Sequence, residues 1–270
     1  MTYAAHDVHV RFGSVTVLDG VSVTATPGSV TAVVGGDGAG KSTLLRCFAG
    51  EVTPWQGSVD RPPKERLGYL PSTSGTWRDL TVDENLEFVA RTFRVPRAVA
   101  AERREHLLER AGLTSARTRL ARHLSGGMRQ KLGFCLAMVH QPSLLILDEP
   151  TTGVDPVSRV ELWRMIADAA VGGAAVLFTT TYLDEAERAA DVLVLDAGRQ
   201  LLSGAPASLL ADAPRMVETW APPNPSRAWR RGRIFRQPAG GEQPADASPV
   251  APDLEDVVIA AILATSSGTR

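Results

Sequence analysis

Residues Gly35-Gly36-Asp37-Gly38-Ala39-Gly40-Lys41-Ser42-Thr43 fit the phosphate-binding loop pattern: a glycine, four residues, then Gly-Lys-Ser. An apolar segment, Val30-Thr31-Ala32-Val33-Val34, precedes the loop and reads as a buried strand. Leu44-Leu45-Arg46-Cys47-Phe48 follows and reads as a helix. Glycines tolerate positive φ, so the backbone can wrap closely around phosphate oxygens. The freed N–H groups and the helix N-terminus then face an anion. Lys41 offers a point charge to β- and γ-phosphates, and Ser42 a hydroxyl to Mg²⁺. A glycine-rich turn that binds nothing is the alternative, and the strand–loop–helix context argues against it.

Outward from the loop, strands and helices alternate. Residues 8–34 alternate and then run apolar around the turn signal Pro27-Gly28, which predicts short strands, some of them antiparallel. Residues 59–70 read as strand, turn and strand, broken by Pro62-Pro63. Residues 82–111 turn helical, and Ser125 precedes a helix with Met128, Leu132, Leu136 and Val139 at helical spacing. Leu144-Leu145-Ile146-Leu147 is a continuous apolar run ending in Asp148-Glu149-Pro150, as suits a parallel strand buried on both faces. A helix over 157–170 and strands over 174–178 and 192–195 follow. This order predicts an α/β fold with a mostly parallel sheet over 1–72 and 144–210, a small antiparallel part, and an all-helical insert over 73–143.

Beyond residue 212 proline recurs at 214, 222, 223, 225, 238, 244, 249 and 252, which predicts a linker or loosely folded extension over 211–270. Arg227, Arg230, Arg231, Arg233 and Arg236, with Trp229 and Phe235, form a basic aromatic patch. It suits anionic lipid or an acidic partner, or else a solvated arginine-rich strand and turn. Asp253 is placed to cap a final amphipathic helix.

Composition narrows the classes. A chain of 270 residues can bury a large core, and a net charge of −1 creates no global field towards nucleic acid. The longest uninterrupted apolar run, 257–264, is far short of a membrane span, and the first residues carry no apolar leader core. The two cysteines, Cys47 and Cys135, lack metal-ligand spacing and fall on predicted helices as small hydrophobes. A reducing, cytoplasmic setting is expected.

Four further segments, taken in order with the loop, resemble those of ATP-binding cassette (ABC) proteins. Leu124-Ser125-Gly126-Gly127-Met128-Arg129-Gln130 resembles the family's signature, and 144–150 its Walker B strand. Gly153-Val154-Asp155-Pro156 resembles its D-loop, and Gly68-Tyr69-Leu70-Pro71 the approach to its Q-loop. The resemblance covers residues 6–205, and Leu254-Glu255-Asp256-Val257 also resembles the C-terminal end of ATPase subunits that serve bacterial ABC-2 type exporters. It implies ATP and Mg²⁺ as ligands, with Gly35 through Thr43 binding ATP. Asp148 and Ser42 would hold the metal, and Glu149 would polarise the attacking water. Leu124, Ser125, Gly126 and Gly127 would act on the ATP of a second ATPase subunit in a head-to-tail dimer, beside Asp155. Phe12 stands where the family stacks an aromatic on adenine, with Val17 padding the ring; a buried core phenylalanine is the alternative. Transmembrane permease subunits are the implied partners, which places the chain on the cytoplasmic face of the membrane. Trp77, Leu80 and Glu84 are candidates for contacting them, or equally for local core.

The chain departs from the family at two helper positions. Ser72 stands at the Q-loop glutamine, and Thr181 at the histidine that contacts the γ-phosphate. No register shift restores either, because no glutamine lies between Gln56 and Gln130 and the last histidine is His140. Loss of one positioned donor costs roughly 10²–10³ in rate. Gly36 and Asp37 replace a common Pro-Asn pair, and the acid should weaken ATP binding somewhat. The expectation is a heteromeric exporter, with a homodimer possible, in which this loop binds ATP but fires slowly. A non-hydrolysing regulatory clamp and a soluble ABC ATPase of translation or repair are the competing readings.

Overall fold

The computed structural model describes residues 2–240 and 244–267. β1 (Tyr3–Phe12) and β2 (Val15–Ala25) form an antiparallel hairpin, longer than the short strands expected. β3 (Val30–Val34) runs through the phosphate loop into α1 (Lys41–Ala49), and β4 (Gln56–Asp60) returns to pair with β1. β5 (Leu67–Leu70) leads to three helices, α2 (Val82–Thr92), α3 (Arg97–Arg110) and α4 (Gly126–Met138). The chain then alternates: β6 (Leu144–Leu147), α5 (Pro156–Val171), β7 (Ala175–Thr180), the single turn α6 (Leu183–Ala186) and β8 (Asp191–Asp196). β9 (Arg199–Gly204) and α7 (Pro206–Ala211) close this part.

The central sheet has the order β5-β6-β7-β3-β8-β9, parallel except for the β8–β9 hairpin. Its central strands β3, β6 and β7 are buried on both faces, and successive residues enter opposite cores. Leu145, Leu147, Val176 and Phe178 pack with the helical insert and α5. Leu144, Ile146, Ala175 and Leu177 pack with α1 and the β1–β2 hairpin. That two-sided burial is why the strands read as unbroken apolar runs. Val34 pairs with Thr180 and Leu147 with Phe178, so the carboxyl ends of β3, β6 and β7 finish side by side. Loops leaving such aligned ends converge on one crevice.

The insert begins with a capping box: Thr81 accepts from the Glu84 N–H, and the Glu84 carboxylate accepts from the Thr81 N–H. Glu84 is thereby committed to the cap, and Leu80 is half-buried. Asn85, fully buried, holds the preceding loop by accepting from the Trp77 N–H and donating to the Trp77, Leu80 and Thr81 carbonyls. Trp77 remains 43% exposed, edge-on to the 47% exposed Phe88. Of the three candidate contact residues, Trp77 presents the largest apolar surface to solvent.

The C-terminal segment is not a loose linker. β10 (Met216–Thr219), β11 (Trp229–Arg231), β12 (Ile234–Pro238) and β13 (Ser248–Val250) form an antiparallel sheet, order β11-β12-β10-β13, followed by α8 (Leu254–Ser267). The prolines fall where a sheet tolerates them. Pro222, Pro223 and Pro225 lie between strands, Pro238 ends β12, and Pro249 sits in the edge strand β13. Leu254 and Val258 join the core beneath the central sheet. Nor is the basic patch simply solvated. Arg236, largely buried, contacts Glu218 at 2.9 Å and the fully buried Asp256 at 2.6 Å, while Arg231 pairs with Asp253 and Glu255. Asp253 does cap α8, accepting from the Asp256 N–H at 3.0 Å. Replacing Asp256 by Ala leaves Arg236 buried with Glu218 and Asp253 as its remaining partners. The expected cost is about 3 kcal/mol, seen as faster amide exchange in β10 and β12 with β3 and β6 unchanged.

Candidate functional site: the phosphate loop and the strand ends around it

The loop is shaped by contact with the β1–β2 hairpin. Gly40 has φ of 100°, and a Cβ there would lie 2.6 Å from Leu18 Cδ2 and 2.9 Å from the Val17 carbonyl oxygen. Only glycine fits, on both conformational and steric grounds. Lys41 is 5% exposed, and its ammonium donates to the Gly35 carbonyl at 2.9 Å and the Gly36 carbonyl at 3.1 Å. It also stands 3.5 Å from Glu149 Oε1. The charge therefore hangs over the loop rather than in solvent. Asp37 is exposed at the loop's outer edge, Ala39 is buried beneath it, and Thr43 is half-buried on α1. Phe12 is 51% exposed at the end of β1, and so is not a core phenylalanine; Val17 is half-buried on β2.

Below the loop, Asp148 gathers the strand ends. Its Oδ1 accepts from Ser42 Oγ at 3.0 Å and from Thr179 Oγ1 at 2.8 Å. Thr179 Oγ1 in turn accepts from the Glu149 N–H at 2.9 Å. That bond holds Glu149 at φ of 48°, a left-handed conformation that costs a non-glycine residue of order 1 kcal/mol or more. Glu149 Oε2 accepts from Thr152 Oγ1 at 3.1 Å, so the carboxylate is aimed between Lys41 and Thr152. Thr179 and Thr152 were not singled out from sequence. The only signal was two hydroxyl residues at a strand end, and their partners lie on other elements. Ser42 and Asp148 present hard oxygens 3.0 Å apart beside a loop of backbone donors, a set that fits Mg²⁺ shared with phosphates and water. Among the described residues no group of three or more His, Cys, Asp or Glu forms a metal cage. Burial pushes the Cys47 thiol up to about 11 and the Cys135 thiol up to about 12, so neither is a reactive thiolate.

The signature segment lies apart from these groups. Ser125 caps α4 by accepting from the Met128 N–H at 3.2 Å, with Leu124 buried behind it and Ser125 and Gly126 exposed. Gly127 packs against the D-loop: a Cβ there would lie 2.8 Å from Ser158 Oγ and 3.1 Å from Asp155 Oδ2. Asp155 caps α5 through the Val157 and Ser158 N–H groups, and the Ser158 bonds hold its carboxyl below the usual carboxylate range. Ser72 is exposed; its carbonyl is reached by Gln130 Nε2 at 3.5 Å, while Gln130 Oε1 is buried without a hydrogen-bond partner among the described residues. Thr181 is exposed just past the end of β7.

Residues 18–152 match the family model described as ABC transporter. The chain belongs to the ABC transporter ATP-binding family. It is 44% identical over 200 residues to the probable multidrug ABC transporter ATP-binding protein YbhF of Escherichia coli K12, a match covering 69% of this chain and 34% of that protein. The chain thus spans about a third of that relative's length. It is 37% identical over 215 residues to the Nod factor export ATP-binding protein I of Cupriavidus metallidurans, covering 76% of this chain and 71% of the relative. Among solved structures, an ATP-binding subunit of an ABC transporter superposes with a TM-score of 0.73 at 26% identity, covering 78% of this chain and 92% of that one. The α/β P-loop fold, with its mostly parallel sheet and antiparallel part, is that of ABC ATPase domains.

The tight approach of the signature to the D-loop in this ABC domain has a direct consequence. Gly127→Ala should lower stability by about 1–3 kcal/mol through overpacking against Ser158. Ser158→Gly in the same chain should recover part of that loss. Chemical denaturation of the two single variants and the double variant checks both.

Proposed function

We propose that this chain is the ATP-hydrolysing subunit of an exporter-type ABC transporter, working on the cytoplasmic face of the membrane against separate permease subunits. The observation that carries the reading is the Ser42–Asp148 oxygen pair beneath the phosphate loop, with Glu149 held beside it in a strained backbone conformation. The names of the two relatives, multidrug transport and Nod factor export, support the exporter class. Among the described residues no helix is long and apolar enough to cross a membrane, so this part of the protein needs a membrane partner to act as a transporter.

In this reading the loop N–H groups and Lys41 bind the phosphates, and Phe12 and Val17 bear the adenine. Ser42 and Asp148 hold Mg²⁺, which when bound supplies charge neutralisation across the β- and γ-phosphates. Glu149 takes the proton of the attacking water as the γ-phosphorus bond to ADP breaks. Lys41 stands 3.5 Å from that carboxylate and helps to aim it. The signature Ser125-Gly126-Gly127, exposed at Ser125 and Gly126, presents a helix N-terminus outward and completes the site of a second ATPase subunit. Domain limits of 1–72 with 144–210, 73–143 and 211–270 serve this division of labour.

Ser72 and Thr181 favour asymmetry. Serine is too short to reach the metal region from its loop, and threonine carries no charge to the γ-phosphate. A heterodimer, in which this chain's loop binds ATP and turns it over slowly, accommodates both. A non-hydrolysing clamp is the second reading that the same two residues support. The wild-type chain is expected to bind Mg·ATP, with Lys41→Ala weakening binding at least about tenfold. Thr181→His should raise turnover at least about tenfold. Brisk hydrolysis by the isolated wild-type chain, matching that of the histidine variant, removes the asymmetry. Failure to bind Mg·ATP at all removes the ATPase reading itself.

A further inference from the structure

Glu185 has no part in the site just described, yet it is among the most buried charged groups of the protein, at 1% exposed. It lies on α6, four residues past Thr181. Its Oε2 accepts from Thr151 Oγ1 at 2.9 Å and from Thr180 Oγ1 at 2.7 Å. Its Oε1 has no hydrogen-bond partner among the described residues and faces Arg159 Nε at 3.5 Å. Three elements therefore end on one carboxylate: the turn that follows Glu149, the end of β7, and the first turns of α5.

The contacts continue on both sides. Thr180 Oγ1 also accepts from the Tyr182 N–H at 3.0 Å, which pins the backbone on either side of Thr181. The Arg159 guanidinium lies 4.8 Å from the centre of the Tyr182 ring and pairs with Asp184 at 3.0 Å. Thr151 sits two residues past Glu149 and four before Asp155, so any displacement of Thr151 is felt at both. A buried carboxylate is expensive to keep, and well-packed apolar groups of similar volume fill such a place at lower cost. What an apolar replacement cannot do is hold two hydroxyls and a guanidinium at fixed separations.

We propose that Glu185 is a positioning residue that ties the D-loop turn, Thr151 to Asp155, to the segment Thr180 to Tyr182, so that the two respond to nucleotide as one body. The inference rests on the ATP-binding reading above. A shift of Asp148 and Glu149 on binding nucleotide moves Thr151 and, through Glu185, Thr180 and the Tyr182 N–H on either side of Thr181. Thr151 also begins the turn that carries Asp155 to the surface offered to the second subunit. The carboxylate acts through its neighbours and touches neither nucleotide nor metal.

The test is amide hydrogen exchange of the full chain with and without Mg·ATP, read over 148–156 and 179–187, alongside ATP affinity. In the wild type, nucleotide should slow exchange in both segments. Glu185→Gln should bind Mg·ATP within about threefold of wild type and keep the slowing over 148–156. Over 179–187 it should lose at least about tenfold of the nucleotide-induced protection. Thr151→Val should do the same, and Thr151→Ser, which restores the hydroxyl, should behave as wild type. The inference is overturned if Glu185→Gln and Thr151→Val keep the wild-type response in both segments. It is equally overturned if exchange rises throughout the chain with and without nucleotide, the mark of a purely structural contact. A wild-type chain that shows no response to Mg·ATP in either segment overturns the ATP-binding reading, and this inference with it. The first two outcomes leave that reading intact.

Discussion

The double hydrogen bond to Asp148 Oδ1 is the constraint on which the rest of the site depends. Ser42 reaches it from the start of α1 and Thr179 from the end of β7, so one carboxylate oxygen joins three strand–loop junctions. Each junction is set by the sheet beneath it. Val34 faces Thr180, and Leu147 faces Phe178, which leaves Asp148 beside Thr179 with no freedom of register. A slip of one residue in β6 would send Asp148 to the opposite face and bring an apolar side chain beside Ser42 and Thr179. The four fully buried residues of β6 make that slip costly, because every side chain would change cores.

The phosphate loop depends on a second, independent support. Its inner curve rests on the β1–β2 hairpin, where Gly40 meets Leu18 and the Val17 carbonyl. The β8–β9 turn adds another tie, with the Gly198 N–H donating to the Ala39 carbonyl at 3.2 Å and the Gly198 carbonyl accepting from the Asp19 N–H at 2.9 Å. The loop is therefore clasped between an antiparallel hairpin and a β-turn before it meets any ligand. This prior shaping lowers the ordering cost of binding. β1 of the same hairpin ends in the exposed Phe12, so that ring and the support beneath the glycine loop belong to one element.

What was legible in the sequence is what is local. The glycine pattern before Lys41, the apolar run ending in Asp148, and Ser125 ahead of Gly126 each carry their meaning within about ten residues. Their elements lie where spacing put them. The groups that organise the site were not legible, because their partners are far apart in the chain. Thr179 and Asp148 are separated by 31 positions, and Glu185 and Thr151 by 34. Nothing in a strand ending in two threonines says which hydroxyl will turn towards a carboxylate. The C-terminal segment was misread for a different reason. Counting prolines measures how often a chain cannot donate a hydrogen bond, not where those positions fall. Here they fall between strands, at a strand end and in an edge strand. The arginines read as a free basic patch because Glu218 and Asp256, which neutralise Arg236, sit 18 and 20 positions away.

The folded C-terminal segment also changes how the departures at Ser72 and Thr181 are to be understood. α6 is a single turn, too short to be held by its own hydrogen bonds, yet it carries Thr181's neighbours. It is fixed from two sides. Glu185 anchors it inward to Thr151 and Thr180, and Glu187 Oε1 accepts the Leu254 N–H at 3.3 Å, where α8 begins. Leu254 is fully buried and belongs to the central core, so α8 packs onto the domain rather than trailing from it. The C-terminal sheet, through Arg236 and Asp256, is in turn bound to the first turn of α8. The segment that carries Thr181 is thus surrounded with buried contacts that can transmit a displacement. Under the proposed asymmetry, such a connection is what a subunit needs if it senses nucleotide at its own loop while a partner's loop supplies most of the turnover.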